Sequence, residues 1–304
     1  MPRLQRPPRA RPGAPNWSSD GKDWPHREAS TFWRVGSTVW HVQRRGTGPQ
    51  VLMLHGTGAA THSWAPILDH FASRFDTISL DLPRHGFTQV RPGFRPSLPN
   101  MSAEVANLIR EMALSPSMIV GHSAGAAIAL HLTDQLETTP ELLVSINGAL
   151  EPFEGVMQFI APIAAKAATL GGLAAWMVSR NSANVAGVRR LVTNIGSDPD
   201  LVDPLPYSVL LQKRAHIQGA LQMMAQWDLR ALMRAQANVR VPVLFLAGVE
   251  DQAVPRAVSE RAAGRTQNGT YLEFEALGHL AHEEAPDRVA AAILDHWDRL
   301  QMQR

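Results

Sequence analysis

The chain of 304 residues has no cysteine. That absence removes disulfide frameworks, thiolate metal sites, iron–sulfur clusters and a cysteine nucleophile. Charge imbalance is missing as well: 29 Lys and Arg stand against 27 Asp and Glu, a net of +2, so bulk charge offers nucleic acid no footprint. Acidic residues are lacking before Asp20, while Arg3, Arg6, Arg9 and Arg11 lie among prolines. Such a stretch cannot bury apolar area, and residues 1–25 are expected to form a disordered Arg/Pro-rich tail. No apolar run follows these charges, so a secretory signal is not expected and the cytoplasm is the expected compartment. A solvated tail is the preferred reading, with peripheral contact to anionic headgroups of the inner membrane as the other. Uninterrupted hydrophobic runs are also lacking. Residues 159–178 reach the ~20 residues of a membrane span, but Pro162, Lys166 and Gly171-Gly172 interrupt them. Two short apolar helices are expected there, and no transmembrane segment.

What the chain does contain is an alternation of short apolar runs and longer helical segments. Gln50 to Leu54, Asp76 to Leu80, Met118 to Gly121, Leu142 to Asn147, Val243 to Ala247 and Thr270 to Phe274 read as strands, mostly buried and parallel. Met101 to Leu114, Ala124 to Leu136 and Asp287 to Met302 read as helices. This predicts an α/β fold, a mostly parallel central sheet with helices on both faces. Strand signals vanish between Pro152 and Ala237, so the core is expected in two parts, 26–151 and 238–304, around a helical lid at 152–237.

Ser123 sits in Gly121-His122-Ser123-Ala124-Gly125, directly after a strand and before the small-residue run AAIAL. Strand, sharp turn and helix are the context a nucleophile elbow requires. A serine hydroxyl is a weak nucleophile alone, so a base and an orienting acid are needed. Asp251 follows the strand VLFLA, in GVEDQAVP, and His279 follows the last strand, in GHLAH; Glu250 competes with Asp251, and the spacing favours Asp251. In these roles His279 would take the Ser123 proton while Asp251 fixes its tautomer. An oxyanion hole is expected from the amide of Ala124 and from the turn His55-Gly56-Thr57-Gly58, with Thr57 first and Gly58 second.

HLAHEE, from His279 to Glu284, lacks the H-E-x-x-H spacing, so no metal is assigned, and no cofactor is required. His55, His62, His85 and His122 are expected at the cleft rim as packed or hydrogen-bonded histidines. In the lid, Met157, Met223, Met224 and Trp227 are the candidate substrate-binding residues, because methionine and tryptophan suit a bulky hydrophobic small molecule. No basic cluster there requires a phosphate.

The order Ser123, Asp251, His279, each at a strand end, resembles the α/β-hydrolase superfamily. HGTGAATHSW (His55 to Trp64), GHSAGAAIAL (Gly121 to Leu130), NGALEPF (Asn147 to Phe153), MMAQWDL (Met223 to Leu229) and GHLAHEE (Gly278 to Glu284) together resemble the magnesium chelatase accessory proteins of bacteriochlorophyll biosynthesis. This resemblance implies the α/β-hydrolase fold and a role near magnesium insertion into a tetrapyrrole. The residues read as a serine hydrolase acting on an ester or related acyl bond. The alternative is a non-catalytic protein that binds a porphyrin or contacts the chelatase and keeps an inherited triad. One departure is Arg84, in DLPRHG, where many relatives carry glycine; it is expected to be an exposed turn residue, or else to pair with a substrate carboxylate.

Overall fold

The apolar runs become strands because a parallel sheet covered on both faces is built largely from near-continuous hydrophobic segments. The computed structural model describes residues 3–152 and 184–303. Three strands precede those runs: β1 (Arg3–Gln5), β2 (Ser30–Val35) and β3 (Thr38–Arg45). The runs form β4 (Gln50–Leu54), β5 (Asp76–Leu80), β6 (Pro116–His122), β7 (Leu142–Ile146), β8 (Val243–Gly248) and β9 (Gly269–Phe274). They make one sheet in the order β1-β2-β3-β5-β4-β6-β7-β8-β9. β1, β2 and β3 pair antiparallel with their neighbours, and every pairing from β5 through β9 is parallel.

The described helices are α1 (Trp17–Asp20), α2 (Ala65–Ala72), α3 (Leu98–Glu111), α4 (Ala124–Leu132), α5 (Val185–Asn194), α6 (Pro204–Leu211), α7 (Arg214–Ala225), α8 (Arg230–Ala235), α9 (Arg256–Arg265), α10 (Ala281–Glu284) and α11 (Pro286–Met302). Side chains alternate across a strand, so β4 sends Val51 and Met53 to one face and Leu52 and Leu54 to the other. The first pair packs with Ile67 and Phe71 of α2 and Ile293 and Trp297 of α11. The second packs with Val105 of α3, Ile128 of α4 and Ala262 of α9. Helices α5 to α8 all fall between β7 and β8 in the chain. No helix among the described residues is long and apolar enough to cross a membrane. The stretch 159–178 lies outside the described residues.

The expectation of a disordered tail is corrected for residues 3–25. Arg3–Gln5 adds a strand to the sheet edge, and Trp17 and Trp24 are buried edge-on against Phe87. Trp24 Nε1 donates to Thr61 Oγ1 at 3.0 Å. Two buried indoles contribute roughly 4–6 kcal/mol each as an upper bound. That apolar area, placed after the arginines and prolines, holds down a segment whose composition reads as unstructured. α4 also stops at Leu132, short of Leu136, where a 3-10 turn (Thr133–Gln135) takes over.

Candidate active site

Ser123 joins β6 to α4 with φ 51° and ψ −116°, a backbone conformation that costs a non-glycine residue roughly 1–3 kcal/mol. The glycines on either side make it attainable. A Cβ on Gly125 would stand 2.0 Å from the Leu54 carbonyl oxygen, and one on Gly121 would stand 2.5 Å from the Ala126 backbone. Main-chain bonds then hold the turn: Ser123 N donates to the Ile146 carbonyl at 3.0 Å, and Ala149 N donates to the Ser123 carbonyl at 3.0 Å. Ala124 opens α4, so its N–H lies in the first helical turn, where amides have no intrahelical acceptor.

The loop after β4 closes against this elbow. A Cβ on Gly56 would meet the His122 ring at 2.8 Å and Ser123 Cβ at 3.0 Å, so glycine permits the close approach. Gly58 has φ 83°, and its carbonyl accepts from His216 Nε2 at 3.0 Å. Thr57, Gly58 and Ala124 all line the same cavity as Ser123.

Asp251, on the loop leaving β8, is buried and saturated with donors. Its Oδ1 accepts from the amides of Ala253 (2.7 Å) and Val254 (2.8 Å). Its Oδ2 accepts from His279 Nδ1 at 2.8 Å and from Asn147 Nδ2 at 2.6 Å. Glu250 is exposed and takes no part. His279 and Ser123 share the cavity wall, and the bond to Asp251 puts the His279 proton on Nδ1, leaving Nε2 able to accept one.

Around His279 the structure is tied to the inserted helices. His122 Nε2 donates to the His279 carbonyl at 2.8 Å, and burial, then the neighbouring His282 and His279, push the His122 imidazole well below its ordinary pKa. Leu280 N donates to Ser197 Oγ at 2.8 Å. One Glu284 oxygen accepts from Gly278 N and the other from Asp198 N, each at 3.0 Å. Glu283 Oε1 accepts from Ser63 Oγ at 2.5 Å and from Tyr207 Oη at 2.6 Å. Burial pushes the Glu283 carboxyl up to about 7. The polar residues of HLAHEE are thus engaged in hydrogen bonds, and among the described residues no cluster of three metal-ligating side chains occurs.

The cavity measures about 330 Å³. Its apolar wall comes largely from Val188, Leu191 and Val192 of α5, Leu211, Met224 and Trp227, and Tyr207, Asn194 and Thr57 add polarity. No Asp, Glu, Lys or Arg is among its described lining residues. Of the methionines and tryptophan singled out in the sequence, Met224 and Trp227 line this cavity. Met223 does not: one residue along α7 turns it about 100° from Met224. It is fully buried in the core, its Sδ accepting from Thr57 Oγ1 at 3.6 Å. Met157 lies outside the described residues.

The rim histidines also need correction, since only His122 of the four lines the cavity. His55 Nδ1 donates to the Gly56 carbonyl at 2.7 Å and its Nε2 accepts from Leu82 N at 2.9 Å. His85 Nδ1 donates to the Pro83 carbonyl, and His62 is buried edge-on against Trp24 and Tyr207. Arg84 is not an exposed turn residue: it sits half-buried beneath α7 with φ 70°. The reading from sequence did not find Asn147, Tyr207 or the α5 wall. An asparagine ending β7 before a glycine, at φ 47°, was the available signal for the first.

Comparison with known proteins agrees with this architecture. The model of the alpha/beta hydrolase family matches residues 51–292. The chain is 36% identical to the magnesium-chelatase 30 kDa subunit of Rhodobacter capsulatus, across 90% of this chain and 96% of that protein. It is 27% identical to protein phosphatase methylesterase 1 of Rattus norvegicus, across 85% and 78%. A solved alpha/beta hydrolase fold protein of Burkholderia ambifaria superposes with a TM-score of 0.71 at 24% identity, over 85% of this chain and 94% of that one. With more than half of its length matched by the family model, over a parallel sheet that carries a glycine-flanked elbow, the chain belongs to the alpha/beta hydrolase family.

Proposed function

We propose that the protein is a serine hydrolase that cleaves an ester or related acyl bond of a hydrophobic, uncharged molecule. The observation that carries this reading is the 2.8 Å bond from His279 to a fully engaged Asp251, facing the same cavity as Ser123 on its strained turn. His279 Nε2 takes the Ser123 proton as Oγ attacks the acyl carbon, and the carbonyl oxygen becomes an oxyanion. The amides of Ala124 and of Thr57 or Gly58 stabilise that charge. Collapse breaks the acyl bond, and His279 returns the proton to the leaving oxygen. Water then attacks the acyl-enzyme with His279 again as base, releasing the acid and restoring Ser123.

The lining supports a neutral substrate, since a buried carboxylate or phosphate without a charged partner is costly. A volume of 330 Å³ is at the small end of the ~300–1,000 Å³ typical of ligand cavities, which favours one ester-bearing arm of a larger molecule entering it. The methylesterase relative supports an ester as the scissile group. Similarity to a magnesium-chelatase subunit supports a place near the chelatase step of tetrapyrrole synthesis.

The test is intact-mass analysis after treatment with a fluorophosphonate. One adduct confined to Ser123, absent in Ser123→Ala, is expected, and turnover of a matched ester should fall about 10⁴-fold or more in the variant. A folded wild type that takes no label would sink the reading. The similarity to a chelatase subunit favours a second reading, a porphyrin-binding or chelatase-contacting protein with an inherited triad. It would leave porphyrin quenching of tryptophan fluorescence unchanged in Ser123→Ala and weakened in Trp227→Ala.

A further inference from the structure

A net charge of +2 conceals an uneven distribution. Arg3 and Arg34 are opposed Cα partners across β1 and β2, a placement of like charges that costs stability. Arg6 and Arg9 continue the same segment and are exposed. The path is fixed: Gln89 Nε2 donates to the Arg9 carbonyl at 3.1 Å, and Arg11 Nη1 donates to the Val90 carbonyl at 2.5 Å. Ala215 N then donates to the Gly13 carbonyl at 2.9 Å, which brings the segment beside Arg214 at the start of α7.

Arg84 sharpens the imbalance. It lies near enough to Arg11 that burial, and then that neighbouring charge, push its guanidinium below its ordinary pKa. Its Nε is buried with no hydrogen-bond partner. Among the described residues, none of these arginines forms an ion pair. Asp20, the first acid in the chain, is taken by Lys213 at 2.8 Å. The fold therefore brings like charges together along one segment and gives none of them an ion pair.

Ten extended residues cover roughly 30 Å, too far for one small anion to neutralise. An array of phosphates can do so, and a headgroup layer needs no matched relief to meet arginines spread along an extended segment. Leu4, 62% exposed, alternates with Arg3 along β1 and so points to the other face of the sheet, leaving the arginine side without a large apolar side chain of β1. We propose that this arginine-bearing segment is a docking surface for an anionic lipid bilayer, the arginines meeting headgroup phosphates. The proposal is independent of the hydrolase reading.

The test is co-sedimentation of the full chain with phosphatidylcholine vesicles, with and without phosphatidylglycerol, at low and high salt. Binding is expected to the anionic vesicles alone and to be lost at high salt. Arg6→Glu and Arg9→Glu change exposed side chains, and a thermal melt checks that each variant folds as wild type does. Each reversal should weaken vesicle binding at least about fivefold, and the pair at least tenfold. Absence of binding, equal binding to neutral vesicles, or unchanged binding of the variants would overturn the proposal. So would retention on polyglutamate at a salt concentration where anionic vesicles are not bound, which would assign the face to an acidic protein.

Discussion

Asn147 reaches Asp251 from the end of β7, and its 2.6 Å bond is the side-chain donor that shares Oδ2 with His279. A hydrogen bond to a buried charge contributes about 1.5–3 kcal/mol, so Asn147→Ala should lower the melting temperature and loosen the imidazole's orientation. We expect kcat/KM on a chromogenic ester to fall about tenfold, with fluorophosphonate labelling slowed by a similar factor. Wild-type labelling in a destabilised variant would show that the contact serves folding alone. Gly125→Ala tests the opposite kind of residue, one with no side chain to lose. With a Cβ 2.0 Å from the Leu54 carbonyl, either the elbow or β4 must shift, and soluble folded protein should be scarce. Ser123, Asp251 and His279 were legible because each follows a strand run, Ser123 and His279 beside a glycine or a small residue and Asp251 within the spacing GVEDQAVP. Asn147 was not, because its partner is a carboxylate far along the chain that only the β7·β8 pairing brings near.

Helix α10 belongs to the loop of His279 yet is fastened to the inserted helices by Ser197, Asp198 and Tyr207. The loop that carries the base therefore shares hydrogen bonds with the insertion. Glu284→Gln places an amide NH₂ against one of two backbone donors, which should cost about 1–3 kcal/mol. A fall in kcat larger than the change in KM for a small ester is expected, because the substitution touches the base's support and not the cavity wall. Equal kcat with a raised KM would contradict this. The parallel strands and most helices were legible as apolar runs and helical segments. β3 was not, since its buried side chains include His41 and Gln43, whose burial depends on partners elsewhere: Asp81 for the first, the carbonyls of Pro25 and His26 for the second. Polar residues in a central strand look exposed until their acceptors are known.

At the scale of the whole molecule, buried histidines dominate the response to acid. Burial holds His62 and His282 down to about 3 and His216 down to about 4, and pushes His85 and His122 well below the usual 6.5. The unfolded chain binds protons at these groups below 6.5 and the folded chain does not. The stability they contribute is present above that value and lost as pH falls toward 4, by up to about 1.4 kcal/mol per pH unit for each histidine. Glu283, raised to about 7, acts in the opposite sense: the stability its folded-state proton contributes is present below 4.5 and lost as pH rises through 7. One carboxyl against several imidazoles leaves the histidines in control. The urea midpoint should therefore be clearly lower near pH 5 than near pH 8, and a flat profile would show that these rings reach water in the native state.

The turn at Ser123 is held by main-chain bonds to Ile146 and Ala149 and by the glycines beside it, none of which uses the hydroxyl. Ser123→Ala should accordingly keep the elbow and cavity while leaving nothing to attack the acyl carbon. Immobilised, such a protein becomes bait: whatever it retains from cell extract can be eluted uncleaved and weighed, so that the molecule itself discloses its ligand.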